Sequence, residues 1–261
     1  DRRPILEILA RTPPIPESCQ WATFLRNHDE LTLEMVTEEE RQFMWDFYAP
    51  ESRMRLNLGI RRRLAPLLAN DRSRIELANS LLFTLPGSPV IYYGDEIGMG
   101  DDIWLEDRDG VRTPMQWSAG GNAGFSYARP EGLYTPVLDD DVYGYKRVNV
   151  EMQRTDPDSL LNRMRKMVKI RKAHSAFGRG DIRFLESDNL AVLAYLRSCG
   201  DQQILIINNL SGQPQSAELD VTPCTSTHPV DLFTDAVLPG LATPLHSVEV
   251  ECYQYLWLKL S

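Results

Sequence analysis

A run of polar residues follows the first strongly apolar stretch of the chain and contains its most suggestive pair of neighbours. Trp21 to Leu25 is apolar, aromatic and β-branched, which predicts a short buried strand of a parallel sheet. The next five residues, Arg26 to Glu30, are all polar. His28 and Asp29 would face opposite sides of a regular strand, but at its irregular end both can reach one ligand. The alternative interpretation is that Asp29 or Asn27 caps a following helix.

A second predicted strand also ends in carboxylates. Val90 to Tyr93 predicts another short buried strand, and Gly94 allows the chain to leave it sharply. Asp95 and Glu96 follow directly. In folds that alternate strands and helices, active sites form at the carboxyl ends of the strands, so both acids are candidates by position alone.

The stretch from Met99 to Leu138 has little periodicity and many Asp, Gly and Pro residues. So long a segment without regular structure is typical of a lid or substrate loop. Its segment RDGVRTPMQWS carries Arg108 and Arg112. An arginine on such a loop can bind hydroxyl groups or close a pocket. The alternative for either arginine is a salt bridge inside the loop.

Three segments together, FLRNHDEL, PGSPVIYYGDEIGMGDD and RDGVRTPMQWS, resemble the retaining α-glucosidase and α-amylase superfamily. The longer segment RNHDELTLEMVTEEER resembles its trehalose synthase family, whose members interconvert maltose and trehalose. This resemblance implies an α/β fold followed by an all-β one: the C-terminal part of a (β/α)8 TIM barrel, then a small antiparallel β-sandwich domain. Trp21–Leu25 would be the seventh barrel strand and Val90–Tyr93 the eighth.

The resemblance also implies roles for four residues. Cleavage of an α-glucosidic bond with retention needs a nucleophile and an acid/base about 5 Å apart. A third carboxylate can stabilise the transition state, and the resemblance assigns that role to Asp29. His28 would donate a hydrogen bond to the same glucose ring, and Arg112 would bind substrate, with Arg108 the weaker alternative. The expected ligands are the disaccharides maltose and trehalose, with no cofactor and no metal.

Two essential residues of the superfamily have no counterpart in this sequence. The nucleophilic aspartate and the acid/base glutamate precede the NHD motif, but only 26 residues precede Asn27 and none carries their motifs. Asp95 and Glu96 are accordingly expected to be structural or pocket-wall acids. We expect a C-terminal portion of a longer enzyme, inactive alone, whose partner is the N-terminal barrel part or, as a homo-oligomer, a second copy. The alternatives are part of an α-glucosidase-type hydrolase, or a non-catalytic sugar-binding or docking module.

Composition excludes several other classes of protein. The 261 residues are 43% hydrophobic, enough for one large or two smaller domains, and the net charge of −9 argues against nucleic acid and anionic membrane surfaces as partners. The four cysteines are widely spaced without a CxxC pair, which favours free thiols in a reducing cytoplasm over a zinc site or disulfides. No apolar run is long enough to span a membrane.

Periodicity predicts helices in the first part of the chain and strands in the second. A capping box at Thr37 and Glu40 begins one helix. A basic triplet, Arg61 to Arg63, lies in the middle of another. Such a triplet is usually a solvated face or a set of carboxylate partners. We therefore expect domains at 1–177 and 178–261. The predicted helices are 4–10, one from Thr37 to Pro50, 54–68, 73–85 and 156–174, and the predicted strands after residue 178 are 181–186, 190–197, 203–209, 217–221, 230–233 and 254–260.

Overall fold

A computed structural model describes residues 1–16, 18–224 and 228–260. These residues form two compact units. The first unit comprises Asp1–Thr23, Glu76–Pro89 and Lys166–Ser261, and the second comprises Phe24–Ile75 and Val90–Arg165.

Antiparallel strands dominate the first unit, as the alternating sequence predicted. Its antiparallel strands are β5 (Asp181–Phe184), β6 (Val192–Cys199), β7 (Gln202–Asn209), β8 (Gln215–Asp220), β9 (Val230–Asp231), β10 (Leu245–Val250) and β11 (Tyr255–Lys259). Five strands form one sheet in the order β5-β6-β7-β11-β9, and β8 pairs with β10 in a second, two-stranded sheet. Alternate side chains of β6, β7 and β8 contribute to a core of aliphatic residues that includes Leu205 and Leu219.

The sequence analysis missed β10, whose side chains are mostly exposed. Only Val250 among its residues is buried, so the strand lacks the regular apolar alternation that identified its neighbours. Its pairing with β8 along the full length, from Leu245 opposite Asp220 to Val250 opposite Gln215, supplies the backbone hydrogen bonds instead.

Two parallel strands of the first unit confirm one prediction and correct another. β1 (Ala22–Thr23) pairs in parallel with β4 (Ser88–Pro89), so the two predicted strands are neighbours. Both are shorter than predicted, and β4 lies before Val90–Tyr93 instead of within it. The predicted burial is also wrong, because Trp21 and Val90 are exposed. Each strand has one neighbour among the described residues, and a two-stranded ribbon cannot cover its own apolar side chains.

Helices of the chain mostly match the predicted spans. The predicted capping box is present, with Thr37 Oγ1 accepting from the Glu40 amide and Glu40 Oε2 accepting from the Thr37 amide. The helix predicted to begin at Asp156-Pro157 begins later, at Leu160. The sequence analysis missed the helix that begins at Val150 and is capped by the Asn149 side chain. The helices are α1 (Arg3–Arg11), α2 (Glu38–Tyr48), α3 (Leu64–Leu67), α4 (Arg72–Thr84), α5 (Val150–Thr155), α6 (Leu160–Ala173) and α7 (Ser175–Arg179).

The predicted helix over 54–68 is wrong. The chain there forms a hairpin of β2 (Arg55–Leu56) and β3 (Gly59–Ile60), followed only later by the short α3. Asn57 turns the hairpin with a positive φ of 50°. At Gly59 a Cβ would meet the Leu31 carbonyl oxygen at 2.6 Å, so only glycine allows this close backbone approach. Helical periodicity in this segment was therefore misleading.

The stretch predicted to be a long loop, Met99–Leu138, contains no α-helix and no strand, only short 3-10 turns. Two residues of this stretch, Met99 and Met115, pack in a small buried apolar cluster with Leu161. None of the helices in the described ranges combines the length and apolar character needed to cross a membrane.

Trp257 generates a prediction for stability. Its side chain is fully buried in the first unit, its indole N–H donates to Ser80 Oγ at 2.8 Å, and the Phe233 ring centroid lies 4.9 Å away. Trp257→Ala should lower the free energy of unfolding of this unit by roughly 3–5 kcal/mol in urea denaturation. Trp21→Ala, which removes an exposed tryptophan, is the matched control and should cost less than about 1 kcal/mol. Equal losses for the two variants would contradict this assignment of the core.

Candidate functional site

Asp29 lies in a tight turn of the second unit whose polar groups hold it in place. Its amide donates to Asn27 Oδ1 at 2.9 Å, and its own Oδ1 accepts from the Glu30 amide at 2.9 Å. The buried Arg26 donates from Nη2 to the Asp29 carbonyl at 3.0 Å. The helix-cap alternative is wrong, because α2 begins at Glu38 and the cap is Thr37.

Arg108 joins three carboxylates at this turn. Its Nε donates to Asp29 Oδ1, its Nη2 lies 3.0 Å from Glu30 Oε2, and its Nη1 lies 2.7 Å from Asp107 Oδ1. A side-chain hydrogen bond with Glu30, together with the Arg108 guanidinium, holds the pKa of Asp29 well below its usual range. The Asp29 side chain is still 40% exposed, so its carboxylate, paired with Arg108, is open to solvent.

The structure brings the other two predicted residues to the same turn. Arg112 donates from Nε to the His28 carbonyl oxygen at 2.9 Å. The link is to the backbone, and the His28 side chain itself is exposed. His28, Asp29, Arg108 and Arg112 therefore form one contiguous cluster, with an exposed imidazole, a carboxylate and two guanidinium groups.

Arg61 fixes the loop that carries Arg108. This guanidinium is buried and donates to four backbone carbonyls, those of Arg53, Ile103, Leu105 and Asp107. Three of these carbonyls belong to the loop just before Arg108. One side chain thus supplies donors to four backbone carbonyls whose partners do not come from a helix or a strand.

Two further arginines bind the segment that follows β4. Arg62 Nε lies 2.9 Å from Asp101 Oδ1, and the Arg63 amide donates to Asp101 Oδ2 at 2.6 Å. The Arg63 guanidinium donates to the Tyr93 carbonyl at 2.7 Å and lies 4.7 Å from the centroid of the Tyr93 ring. The expectation that Arg61–Arg63 is a solvated face is wrong. The alternative, carboxylate partners, holds for Arg62 with Asp101 and for Arg63 with Asp95.

Asp95 and Glu96 have different environments although they are adjacent. Asp95 is buried, and burial raises its pKa to about 7, although Arg63 Nη1 at 3.8 Å opposes the change. Glu96 is partly exposed and lines a cavity; its Oε2 accepts from the Gly94 amide at 2.7 Å. No group of three His, Cys, Asp or Glu side chains suited to a metal ion occurs among the residues that the structure describes.

Sequence reasoning missed the residues that support this cluster. The side chains that act here, those of Arg26, Arg61 and Arg63, are buried. Their burial has no sequence signature beyond the placement of arginines beside apolar positions. A usable signal was present for Arg62 and Arg63, because acids that follow the second predicted strand, Asp101 and Asp95, offered them partners.

Comparisons with known proteins find domains and relatives that match the sequence of this chain. Residues 59–180 match the α-amylase catalytic domain, and residues 182–257 match the C-terminal domain of maltogenic amylase. A trehalose synthase of Pimelobacter sp. is 52% identical over 100% of this chain and 46% of its own length. The corresponding values for a trehalose synthase/amylase of Mycobacterium tuberculosis are 54%, 100% and 44%. The resemblance to the trehalose synthases of the α-amylase superfamily is confirmed.

The trehalose synthases also define the extent of the match. The chain spans less than half the length of these relatives, and a quarter of the Thermus thermophilus trehalose synthase, to which it is 50% identical over 92% of its residues. Among solved structures, a trehalulose synthase variant covers 100% of this chain with a TM-score of 0.64 and 20% identity, and the chain covers 46% of it. An α-amylase of H. orenii covers 92%, with a TM-score of 0.62 and 24% identity, and the chain covers 40% of it. At these identities the structures show the fold alone.

The buried Asp95 predicts a specific pH dependence. Its pKa is about 7 in the folded chain against an ordinary value of 3.8, so the folded state keeps a proton that the unfolded state releases. Stability should therefore fall as the pH rises from about 4 to about 7. Asp95→Asn should flatten this fall and should be more stable than the parent at about pH 8, by up to roughly 4 kcal/mol. Urea denaturation across the pH range measures both, with the exposed Asp46→Asn as control; parallel curves for Asp95→Asn and the parent would contradict the assignment.

Arg61 predicts a local effect on the loop. Lysine keeps the charge of Arg61 but cannot reach four carbonyls, so Arg61→Lys should speed hydrogen exchange of the amides in 103–108 and cost roughly 3 kcal/mol of stability. Arg53→Lys is the matched control, since Arg53 is half-exposed and lies 3.7 Å from Glu106 in the same region. Unchanged exchange in 103–108 for Arg61→Lys would show that this guanidinium does not fix the loop.

Proposed function

We propose that this chain is the C-terminal portion of a retaining transglucosidase that interconverts maltose and trehalose. The observation that carries the proposal is the charged, exposed Asp29, clustered with His28, Arg108 and Arg112, in a chain 50–54% identical to trehalose synthases over 92–100% of its length. We propose further that 1–177 continues a (β/α)8 barrel as its seventh and eighth strands and that 178–261 is a separate β domain.

Asp29 acts in this proposal as the third carboxylate of the site. The transition state of glucoside cleavage resembles an oxocarbenium ion, so a fixed negative charge beside the sugar ring favours it over the neutral ground state. The pairing with Arg108 and the hydrogen bonds of the turn keep the carboxylate ionised and oriented. His28 and Arg112 would donate hydrogen bonds to sugar hydroxyls, while Arg108 orients Asp29.

The bond-breaking residues come, in this proposal, from an N-terminal polypeptide. Its nucleophilic carboxylate would take the glucosyl group and its acid/base would protonate the leaving glucose. Isomerisation then needs no further chemistry in this chain. If the long loop over Met99–Leu138 excludes water, the retained glucose can turn and attack through its anomeric hydroxyl, which forms trehalose.

A second candidate function, hydrolysis, is favoured by the names of other relatives. An oligo-1,6-glucosidase of Parageobacillus thermoglucosidasius is 30% identical over 54% of this chain, and the Mycobacterium tuberculosis relative is named both trehalose synthase and amylase. Water reaching the glucosyl-enzyme would give glucose instead of trehalose. The two functions therefore differ in product and not in the residues of this chain.

A complementation assay tests the proposal. The purified chain alone should consume no maltose, because in this proposal the nucleophile and the acid/base both lie in the N-terminal polypeptide. Mixing it with the part of the Pimelobacter trehalose synthase that precedes the aligned region should restore maltose consumption, with trehalose as the main product separated by chromatography. Glucose without trehalose would favour the hydrolase. Turnover by the chain alone would contradict the account and would make Asp95 and Glu96 the first acids to test.

A further inference from the structure

Two tyrosine hydroxyls hold the backbone on either side of Arg112. Tyr92 donates to the Val111 carbonyl oxygen at 3.0 Å, and Tyr93 donates to the Thr113 carbonyl oxygen at 2.7 Å. Burial raises the pKa of Tyr92, so its hydroxyl keeps the proton that it donates. Because a fixed backbone directs the side chain that it carries, these two hydrogen bonds limit where the Arg112 guanidinium lies.

The Arg63 guanidinium packs against both tyrosine rings. Its central carbon lies 4.7 Å from the ring centroid of Tyr92 and 4.7 Å from that of Tyr93. Its Nη1 also donates to the Tyr93 carbonyl oxygen at 2.7 Å. A displacement of this guanidinium would therefore move the rings whose hydroxyls hold the backbone around Arg112.

Asp95 is a second acceptor for the same guanidinium. Its Oδ1 lies 3.8 Å from Arg63 Nη1, which is longer than a hydrogen bond, and has no hydrogen-bond partner among the residues that the structure describes. Arg63 is 1% exposed and Asp95 is 5% exposed. Because an unpaired buried charge is costly, an ionised Asp95 needs a donor, and the Arg63 guanidinium can supply it.

Other charged groups also act on Asp95. Arg26 favours its ionisation, and the adjacent Glu96 opposes it. Asp101 is a further acid of this cluster whose pKa is raised by burial, but it already accepts hydrogen bonds from two donors of Arg62–Arg63. Ionisation of Asp95 therefore requires a new contact, whereas ionisation of Asp101 does not.

We propose that Asp95 is a proton-linked positioning residue for Arg112 and acts through Arg63. While Asp95 is neutral, Arg63 stays on the Tyr93 carbonyl oxygen. Once ionised, the carboxylate draws Arg63 Nη1 from 3.8 Å to the roughly 2.8 Å of a charge-assisted hydrogen bond, a displacement of about 1 Å. The displacement reaches Arg112 through Tyr93 and weakens the hydrogen bond that Arg112 Nε donates to the His28 carbonyl oxygen.

The switch operates near neutral pH. Burial raises the pKa of Asp95 to about 7, so the neutral acid prevails below this pH and the carboxylate above it. Arg112 is therefore best positioned below about pH 7. The consequence for turnover rests on the proposed function, in which Arg112 binds sugar, but the coupling of Asp95 to Arg112 does not.

A pH titration of the whole chain by NMR tests the inference without any catalysis. The probes are the ¹³C signals of the Asp95 carboxyl group and of Arg112 Cζ. Both should change with one common midpoint near the pKa of Asp95. Asp95→Asn should abolish the Arg112 transition. Glu96→Gln removes the adjacent acid but keeps its acceptor oxygen, and this matched control should retain the transition.

Two further variants separate the proposed route from other effects. Tyr92→Phe/Tyr93→Phe keeps both rings and removes both hydroxyls, so Asp95 should still titrate while the Arg112 transition disappears. Histidine side chains titrate in the same pH range, so a His28→Gln chain is titrated in parallel. Its Arg112 transition should keep the parent midpoint.

Each outcome decides the inference. An Arg112 signal that does not follow the Asp95 midpoint in the parent chain would overturn it, as would a transition that is lost in the His28→Gln chain. A transition that survives in Asp95→Asn or in the double phenylalanine variant would also overturn it, since the two hydroxyls would then not carry the change. Loss of the transition in both variants, with the parent circular dichroism spectrum, supports it. Failure of the complementation assay to give trehalose leaves this titration unaffected, so failure of the switch and failure of the proposed function are distinguishable.

Discussion

Buried guanidinium groups hold the irregular segments from which the candidate site is made. The irregular segments after β1 and β4 and around the β2–β3 hairpin carry backbone carbonyls that no helix or strand satisfies, and burial without partners would cost each of them a hydrogen bond. Arg26 donates to the carbonyls of Arg62 and Asp29, and Arg61 donates to four carbonyls. Because these cations are removed from water, each depends on its full set of acceptors. The position of Arg108, and through it of Asp29, follows from that requirement.

Arginine side chains also donate to backbone carbonyls in the first unit. Arg197 is buried and donates to the carbonyls of Thr84, Phe177 and Gly180, and Arg171 donates to those of Phe83 and Gly87. Arginine suits this work because its planar fork offers five donors in fixed directions. Arginine side chains therefore hold backbone carbonyls in both units, and those beside Asp29 are the ones that bear on the proposed function.

Two acids of the second unit show how environment separates their roles. Hydrogen bonding and Arg108 hold the pKa of Asp29 low and keep it charged, whereas burial raises that of Asp95 to about 7. Both residues follow a predicted strand, so their positions in the sequence do not distinguish their roles. Only Asp29 combines charge with exposure, which is what electrostatic stabilisation of a developing cation requires. Asp95 instead fits the structural role expected for it.

Elements with local sequence signals were predictable, whereas contacts between residues distant in sequence were not. The capping box of α2 and the strands β6 and β7 were predicted correctly from local signals, but both strands are buried over six consecutive residues and do not show the predicted alternation. The prediction for 54–68 failed because the close approach at Gly59 and the bridge at Ile60 both involve Leu31, which is distant in sequence. The four candidate residues came from motif resemblance, and the structure gathers them; their support from Arg26, Arg61 and Arg63 depends on burial, which periodicity did not predict in these loops.

The charge of Asp29 is the centre of this account, and one substitution tests it directly. Asp29→Asn preserves shape and removes the charge, and it should be measured in the complemented enzyme with maltose as substrate. We expect kcat for trehalose formation to fall about 10²–10³-fold. The free energy of unfolding should change by less than about 1 kcal/mol, because the Asp29–Arg108 pair is partly exposed. Asp46→Asn, an exposed aspartate on α2, should retain parent activity. Trehalose formation by Asp29→Asn at close to the parent rate would contradict the account and leave Asp29 as a residue of the turn alone.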